Sequence, residues 1–335
     1  MNHTFAIRTW LLACLAIPGL AFVGVRTTQH RNSAAFRSMA SGSDDSGDKK
    51  VLVMVNGMPG PMATAAAEAC LRKGLKLSPI AMTGPDIEPG ASIHVLDMVT
   101  EKSSKVNLIR SDEIEELEAG IAGLKEACDL LVAIDYTHPS AVNGNAKFYV
   151  KHGIPFVMGT TGGDREALME TVASHNCVIA PNMGKQIVAM QAALEYLAKE
   201  YPAAFTGYKL QVTESHQITK ADTSGTAKAV VDSLKELNAE KDYSYDDIKM
   251  IRDEKAALDF RVPKDALNGH AFHRYTLTSA DGSVEFALEH NVAGRTIYAE
   301  GTADACQFLI GKLLENDSPP KVYSMVDVLE AGALE

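Results

Sequence analysis

The densest set of groups able to do chemistry in this 335-residue chain is ESHQITKADTSGTA, Glu214–Ala227. His216 and Lys220 bracket a polar stretch at the end of a predicted strand, so both can project into one cleft. Ser224, Gly225 and Thr226 then open a predicted helix. Its free N–H groups and two hydroxyls can receive a carboxylate. A cationic lysine beside such a turn makes a site for a small di-acid with a proton donor next to it. Glu214 is expected to do no more than orient the loop. A solvated loop with a serine N-cap would contain any one of these residues; it is their combination that points to a reaction.

Asn56–Ala63, NGMPGPMA, forms a G-x-x-G-x-x-A turn between a predicted strand and a predicted helix. Gly57 and Gly60 let backbone approach a pyrophosphate, and Met58, Pro61 and Met62 share the turn that leads into the helix N-terminus. Pro59 and Pro61 remove two N–H donors, which weakens phosphate binding. An acid after the second strand would hold the adenosine ribose of NAD, but Thr83-Gly84-Pro85 stands there, without an arginine either. NADH and NADPH therefore both remain open. Asp135-Tyr136-Thr137 and Gly159-Thr160-Thr161-Gly162 end two later predicted strands, where ligands sit in open α/β sheets. Their hydroxyls can contact a nicotinamide amide or a substrate carboxylate, although plain strand–turn punctuation would read the same.

The elements that must position these residues follow from periodicity. VLVMVNG is a short β-branched apolar run, the pattern of a buried parallel strand. Residues 61–74 are Ala-rich, with basic residues in the last turn and glycine after it, hence a helix with a stop. Strands are predicted at 77–84, 129–137, 154–162 and 177–184, and helices at 112–128, near 141–152 and between the last two strands. Strands alternating with helices imply a parallel, Rossmann-like sheet from about Lys50 to Asn182. After a long helix at 185–200 the pattern changes. YKLQVTES alternates, as do the runs flanking Asp281-Gly282, a hairpin signal. The second domain is predicted to be α+β with an antiparallel or mixed sheet and a helix over 224–237. The chain then ends in a helix and an apolar tail that can return to the first domain. The expected division is 1–49 as leader and linker, 50–182 with about 300–335 as the dinucleotide-binding domain, and 183–299 as the substrate-binding and oligomerisation domain.

The net charge of −11 excludes a nucleic-acid surface, which needs clustered Lys and Arg, but not a basic pocket for a small anion. Five cysteines at irregular spacing, without a C-x-x-C pair, argue against a disulfide framework or zinc site. His270, His273 and His290 lack metal-ligand spacing and carboxylate partners in the sequence and are read as ordinary core or surface histidines, so no metal is expected. Arg295 reads as a surface arginine on its own. The first 43 residues contain four Arg and no Asp or Glu. A short apolar run, Trp10–Val23, precedes an acid-free Arg/Ser stretch. It is interrupted by Pro18 and too short to span a membrane. A signal followed by a transit segment predicts a plastid destination, a mitochondrial or secretory leader being the alternative.

Together VNGMPGPM, AIDYTHPSA, GIPFVMGTTG, APNMGKQ, ESHQITKADTSGTAKAV and EHNVAGR resemble the dihydrodipicolinate (4-hydroxy-tetrahydrodipicolinate) reductase family, and its plant-type branch in particular. The resemblance implies hydride from NADH or NADPH to a cyclic di-acid in diaminopimelate and lysine biosynthesis. It implies Lys220 as general acid with His216 as its helper. Thr161, Ser224, Gly225, Thr226 and Arg295 would bind substrate. Gly57, Met58, Gly60, Pro61, Met62, Thr137, Gly159, Thr160 and Asn182 would face the cofactor. It further implies a homo-oligomer, dimer or tetramer, built through the second domain's sheet. Two departures from the common bacterial pattern stand out: Gln217 replaces a second histidine, as in the plant-type branch, and Pro61 and Ala63 replace a basic residue and a third glycine. A reductase of the same architecture for another small imine or carbonyl acid is the rival enzyme. A non-catalytic nicotinamide sensor is the rival binding protein, though it would have no use for Lys220.

Overall fold

The computed structural model describes residues 49–315 and 319–332, so the predicted leader lies outside the described residues. β1 (Val51–Asn56), β5 (Leu130–Asp135), β6 (Phe156–Met158), β7 (Cys177–Ile179) and β12 (Val322–Tyr323) form a parallel sheet in the order β1-β5-β6-β7-β12. The inner strands β5, β6 and β7 are buried over nearly all their length, as expected for a sheet covered on both faces. Between them run α1 (Pro61–Arg72), α2 (Ile114–Ala127), α3 (Val142–Lys151) and α4 (Arg165–Val172). α1 starts with proline at a position whose N–H would have no partner, and it ends before Gly74 at φ +81°.

Two strands of this part were not foreseen. β3 (Ser92–Leu96) and β4 (Ser103–Arg110) form an antiparallel hairpin, and β4 pairs in parallel with β2 (Ile80–Thr83). Their polar, half-exposed sequences give no continuous apolar run. Asp97 closes the tip by accepting from the Thr100 amide and hydroxyl at 2.9 and 2.6 Å. The small sheet adjoins β1 through a parallel Leu77–Val53 bridge and the Gly57 N–H donated to Met82 O at 2.9 Å.

The second main sheet has the order β11-β10-β8-β9. β8 (Lys209–His216), β10 (His270–Thr278) and β11 (Glu285–Ala293) are antiparallel, while the short β9 (Lys249–Ile251) lies parallel to β8 and makes the sheet mixed. α5 (Lys185–Glu200) and α6 (Gly225–Glu236) cover one face over Leu210, Val212, Tyr275 and Leu277. α7 (Glu254–Asp259), also unforeseen, packs Ala257 with Ile251, Val262 and Phe272. At the β10–β11 turn, Asp281 accepts from Ser279 Oγ and from Ser283 N and Oγ, with Gly282 at φ +72°.

α8 (Thr296–Glu315) returns to the first sheet, followed by β12 and α9 (Met325–Glu330). Its buried Asp304 pairs with Lys73 after α1 at 2.6 Å and with Lys185, the first residue of α5. Glu300, one turn earlier, pairs with Arg72, which also meets Asp97. Beside them Gly301 faces backbone: a Cβ there would lie 1.7 Å from Met183 O. Gly301→Ala should therefore destabilise by about 1–3 kcal/mol or more through overpacking. Gly123, inside exposed α2 with open space around it, should tolerate the same change or gain up to about 1 kcal/mol of helix propensity. Urea midpoints that fall equally for both variants would refute the contact.

Candidate active site

The glycine turn is locked before any ligand arrives. Gly57 has φ +98°, and a Cβ on it would sit 2.3 Å from Tyr136 O, so only glycine permits β1 and β5 to end side by side. Gly60 N–H donates to Gly57 O at 2.9 Å. Thr83 Oγ1 donates to Met58 O at 2.6 Å, and Asn56 Oδ1 accepts the Met82 N–H at 2.8 Å. Thr83, at the place where an acid was sought, is thus buried and spent on holding the turn. Gly60 caps α1 without a side-chain hydrogen bond, which leaves the N–H groups of the first turn for an anion. Pro61 is exposed at that terminus, Met62 half-buried and Met58 fully buried.

A second buried group sets the neighbouring strand ends. The Asp135 carboxylate accepts from Tyr149 OH at 2.6 Å and Asn145 Nδ2 at 2.9 Å on one oxygen. On the other it accepts from Thr137 N and Oγ1 at 3.1 and 2.8 Å and from Thr160 Oγ1 at 3.1 Å. Burial pushes the Tyr149 phenol well above its ordinary value, so it stays a donor, and it accepts in turn from Asn56 Nδ2 at 2.8 Å. Gly159 lies under the Tyr136 ring, with room for a Cβ only 2.5 Å from it. Thr161 is exposed beyond it. The structure therefore brings Gly57, Met58, Gly60, Thr137, Gly159 and Thr160 together at the C-terminal ends of three adjacent strands. Asn145 and Tyr149, four apart on one face of α3, were missed; polar residues at that helical spacing were the available signal.

On the second sheet, Glu214 is fully buried and orients the loop, as expected. Its Oε2 accepts the Ser224 N–H at 3.0 Å, and its Oε1 accepts from Arg252 Nη2 at 2.5 Å. Arg252 also donates through Nε to Lys220 O at 2.6 Å and through Nη2 to Asp222 O at 3.1 Å. One guanidinium thus fastens the whole loop from Lys220 to α6. Sequence reading missed Arg252; its only trace is a lone arginine between the short apolar run of β9 and the acids that open α7. Ser224 caps α6 by accepting from the Ala227 N–H at 3.4 Å. Lys220 Nζ reaches Asp222 Oδ1 at 2.8 Å at the partly exposed rim, and that bond holds the Asp222 carboxyl below its usual range.

The histidines correct the sequence reading. Register places Glu214, His273 and His290 side by side across three strands, so His273 does have a carboxylate neighbour, with Nε2 3.8 Å from Glu214 Oε2. His216 Nε2 lies 3.3 Å from His273 Nε2, and His290 stacks on His273 with ring centroids 4.5 Å apart. Burial, reinforced by Arg252, Lys220 and His270, pushes His216 down to about 4. Burial and the neighbouring His290 push His273 down to about 2. His270 Nε2 pairs with Ser215 Oγ at 2.8 Å.

Asn182 joins the two halves: its Nδ2 donates to Thr226 Oγ1 at 3.2 Å while its Oδ1 accepts the Gly184 N–H at 2.8 Å. Lys220, His216, Ser224, Gly225 and Thr226 are thus gathered by Glu214, Arg252 and Asn182. Arg295 is not gathered with them. It is exposed just before α8 beside Gly269, in a hollow lined also by Asp265 and Asn268. Among the described residues, its guanidinium has no hydrogen bond to the others. No helix among the described residues is long and apolar enough to cross a membrane.

Residues 51–183 match the family model for the N-terminus of dihydrodipicolinate reductase, and residues 186–329 match that for its C-terminus. The chain is 42% identical over 304 residues to the probable 4-hydroxy-tetrahydrodipicolinate reductase 1, chloroplastic, of Oryza sativa subsp. japonica, covering 90% of this chain and 85% of that one. It is 42% identical over 323 residues to 4-hydroxy-tetrahydrodipicolinate reductase 1, chloroplastic, of Arabidopsis thaliana, covering 93% and 89%. The fold is shared with a dipicolinate-bound dihydrodipicolinate reductase from Paenisporosarcina sp. TG-14, at TM-score 0.53 and 19% identity over 83% of this chain and 98% of that one. With both family models matched in order and two plant relatives aligned over nine-tenths of its length, this chain belongs to the dihydrodipicolinate reductase family.

Proposed function

We propose that the protein reduces the dehydrated di-acid derived from 4-hydroxy-tetrahydrodipicolinate to tetrahydrodipicolinate, in diaminopimelate and lysine biosynthesis. The observation that carries this reading is the segment Lys220–Thr226, a cationic lysine beside an N-terminal turn, both held in place by Glu214 and Arg252. The strand-end cradle fits a nicotinamide dinucleotide: it offers a helix N-terminus without a side-chain cap, and its glycines let the chain turn tightly at the strand ends. When bound, that cofactor supplies the hydride. Gly57, Met58, Gly60, Pro61, Met62, Thr137, Gly159, Thr160 and Asn182 hold it. NADH and NADPH both remain open, since Thr83-Gly84-Pro85 directly after β2 carries neither an acid nor an arginine.

The chain's own residues do the rest. Ser224, Gly225 and Thr226 receive one carboxylate on the α6 N-terminus, with Thr161 contributing from the strand-end rim; Arg295, which stands apart beside Gly269, has no part in it. Lys220 leaves Asp222 for the di-acid and delivers a proton to the carbon next to the one that accepts hydride. His216, walled in behind it, orients the substrate. Residues 50–182 with about 300–335 serve as the dinucleotide domain and 183–299 as the substrate domain, whose sheet builds the homo-oligomer. The chloroplastic relatives and the acid-free leader support a plastid destination.

Purified protein coupled to dihydrodipicolinate synthase should oxidise NADH, NADPH or both, followed by nicotinamide absorbance; no oxidation of either would sink the proposal. Lys220→Ala should lower kcat by about 10²-fold or more, the scale of a lost general acid, with cofactor Kd unchanged. Wild-type turnover in that variant would remove its assigned role. Arg252→Lys keeps the charge on Glu214 but loses the fork that grips Lys220 O and Asp222 O. Its kcat/KM should fall by about 10- to 10²-fold through misplacement of the loop, again without a change in cofactor Kd. A variant with unaltered kcat/KM would show that Arg252 does not position Lys220.

A further inference from the structure

We propose that Glu214, His216 and His273 form a binding site for a divalent transition metal of the zinc type, and that occupancy of this site shuts the active site down. The three side chains are buried, and their ligand atoms all lie within 4.8 Å of one another. His216 Nε2 and His273 Nε2 face each other at 3.3 Å. In a tetrahedral zinc centre with Zn–N bonds of about 2.0–2.1 Å, two imidazole nitrogens are separated by about 3.3–3.4 Å. Glu214 Oε2 lies 3.8 Å from His273 Nε2, and closing to a zinc edge needs a shift of about half an ångström.

The surroundings suit a metal in one further way. Glu214 Oε2 accepts a single hydrogen bond, from Ser224 N, and a carboxylate oxygen has room for two interactions. With two imidazoles and one carboxylate, the fourth position falls to water or to a carboxylate of a bound acid. Two like-facing Nε2 atoms otherwise share one proton, so the metal competes only with that proton. Arg252 already balances Glu214, which leaves the ion's charge uncompensated in the free protein and limits its affinity.

Metal binding does not depend on the proposed reaction; only the inhibition does. Purified full-length protein, stripped with EDTA, is titrated with CoCl₂ and followed by visible absorbance, then with ZnCl₂ by calorimetry. One equivalent of Co²⁺ should give the intense bands of a tetrahedral ion, displaced by Zn²⁺. His273→Phe keeps a ring stacked against His290 but removes the ligand, and His216→Gln removes the other. Each should weaken Zn²⁺ binding at least ten-fold, with circular dichroism confirming the fold. Zn²⁺ should also inhibit the wild-type reductase reversibly, with EDTA restoring turnover. Absence of tetrahedral Co²⁺ bands, or Zn²⁺ binding that persists equally in both variants, would overturn the site. Should the coupled assay show no turnover at all, the Co²⁺ and Zn²⁺ titrations still decide this inference.

Discussion

Glu214 is sealed from solvent with a full carboxylate to satisfy, and much of the end of the second main sheet is arranged around that requirement. An isolated buried charge is untenable, so the carboxylate recruits the Arg252 guanidinium on one side and the Ser224 N–H on the other. Each recruit does something beyond neutralisation. Arg252 has donors left over, and spends them on the carbonyls of Lys220 and Asp222. Ser224 is the residue at which the chain turns into α6. Satisfying one acid therefore fixes both the lysine loop and the helix terminus that would receive a carboxylate. Removing either partner of such a pair typically costs about 3–5 kcal/mol, so the arrangement is also hard to disturb by accident.

The first sheet uses the same device with different chemistry. Asp135 is buried at the end of β5 and has no cation; five donors satisfy it instead, from Tyr149, Asn145, Thr137 and Thr160. Neutral hydrogen bonds of about 0.5–1.5 kcal/mol each are individually modest, and those to a charged acceptor are about 1.5–3. Their geometric effect is larger than their energy. Thr137 and Thr160, on different strands, are drawn onto one oxygen, which sets the floor of the cradle.

How much of this was legible depended on whether the signal was local. β1, α1, α5, α6 and the β10–β11 hairpin announce themselves by periodicity and by Asp281-Gly282, and they fall where expected. β3, β4 and β9 do not: β3 and β4 alternate only weakly among polar residues, and β9 is three residues long. The parallel β9 turns a sheet read as antiparallel or mixed into a mixed one, since three residues suffice for pairing but not for a pattern. In the site, Lys220, His216 and Ser224–Thr226 were visible because they share one short segment. Arg252 and the His273–Glu214 neighbourhood were not, because they exist only through strand register. Glu214 was read as a residue that orients the loop, and it does; the partners through which it does so, ten and thirty-eight positions away, were not legible.

The two halves of the site must also be held at a fixed setting, and the short stretch from Asn182 to Lys185 is where that is done. Asn182 donates to Thr226 on the substrate side. Met183 O is met by Gly301, with no room for a side chain between them. Lys185 ends on Asp304, which also holds Lys73 behind α1. Three anchors within four residues thus come from α6 and α8, two elements that both lie later in the chain. α8, beginning at Thr296, thereby holds the connector that leads from the first sheet into α5. This explains why Gly301 and Asp304 sit inside α8, where a small residue and a buried acid would otherwise be poor choices. Their value lies in clamping the connector and not in the helix itself.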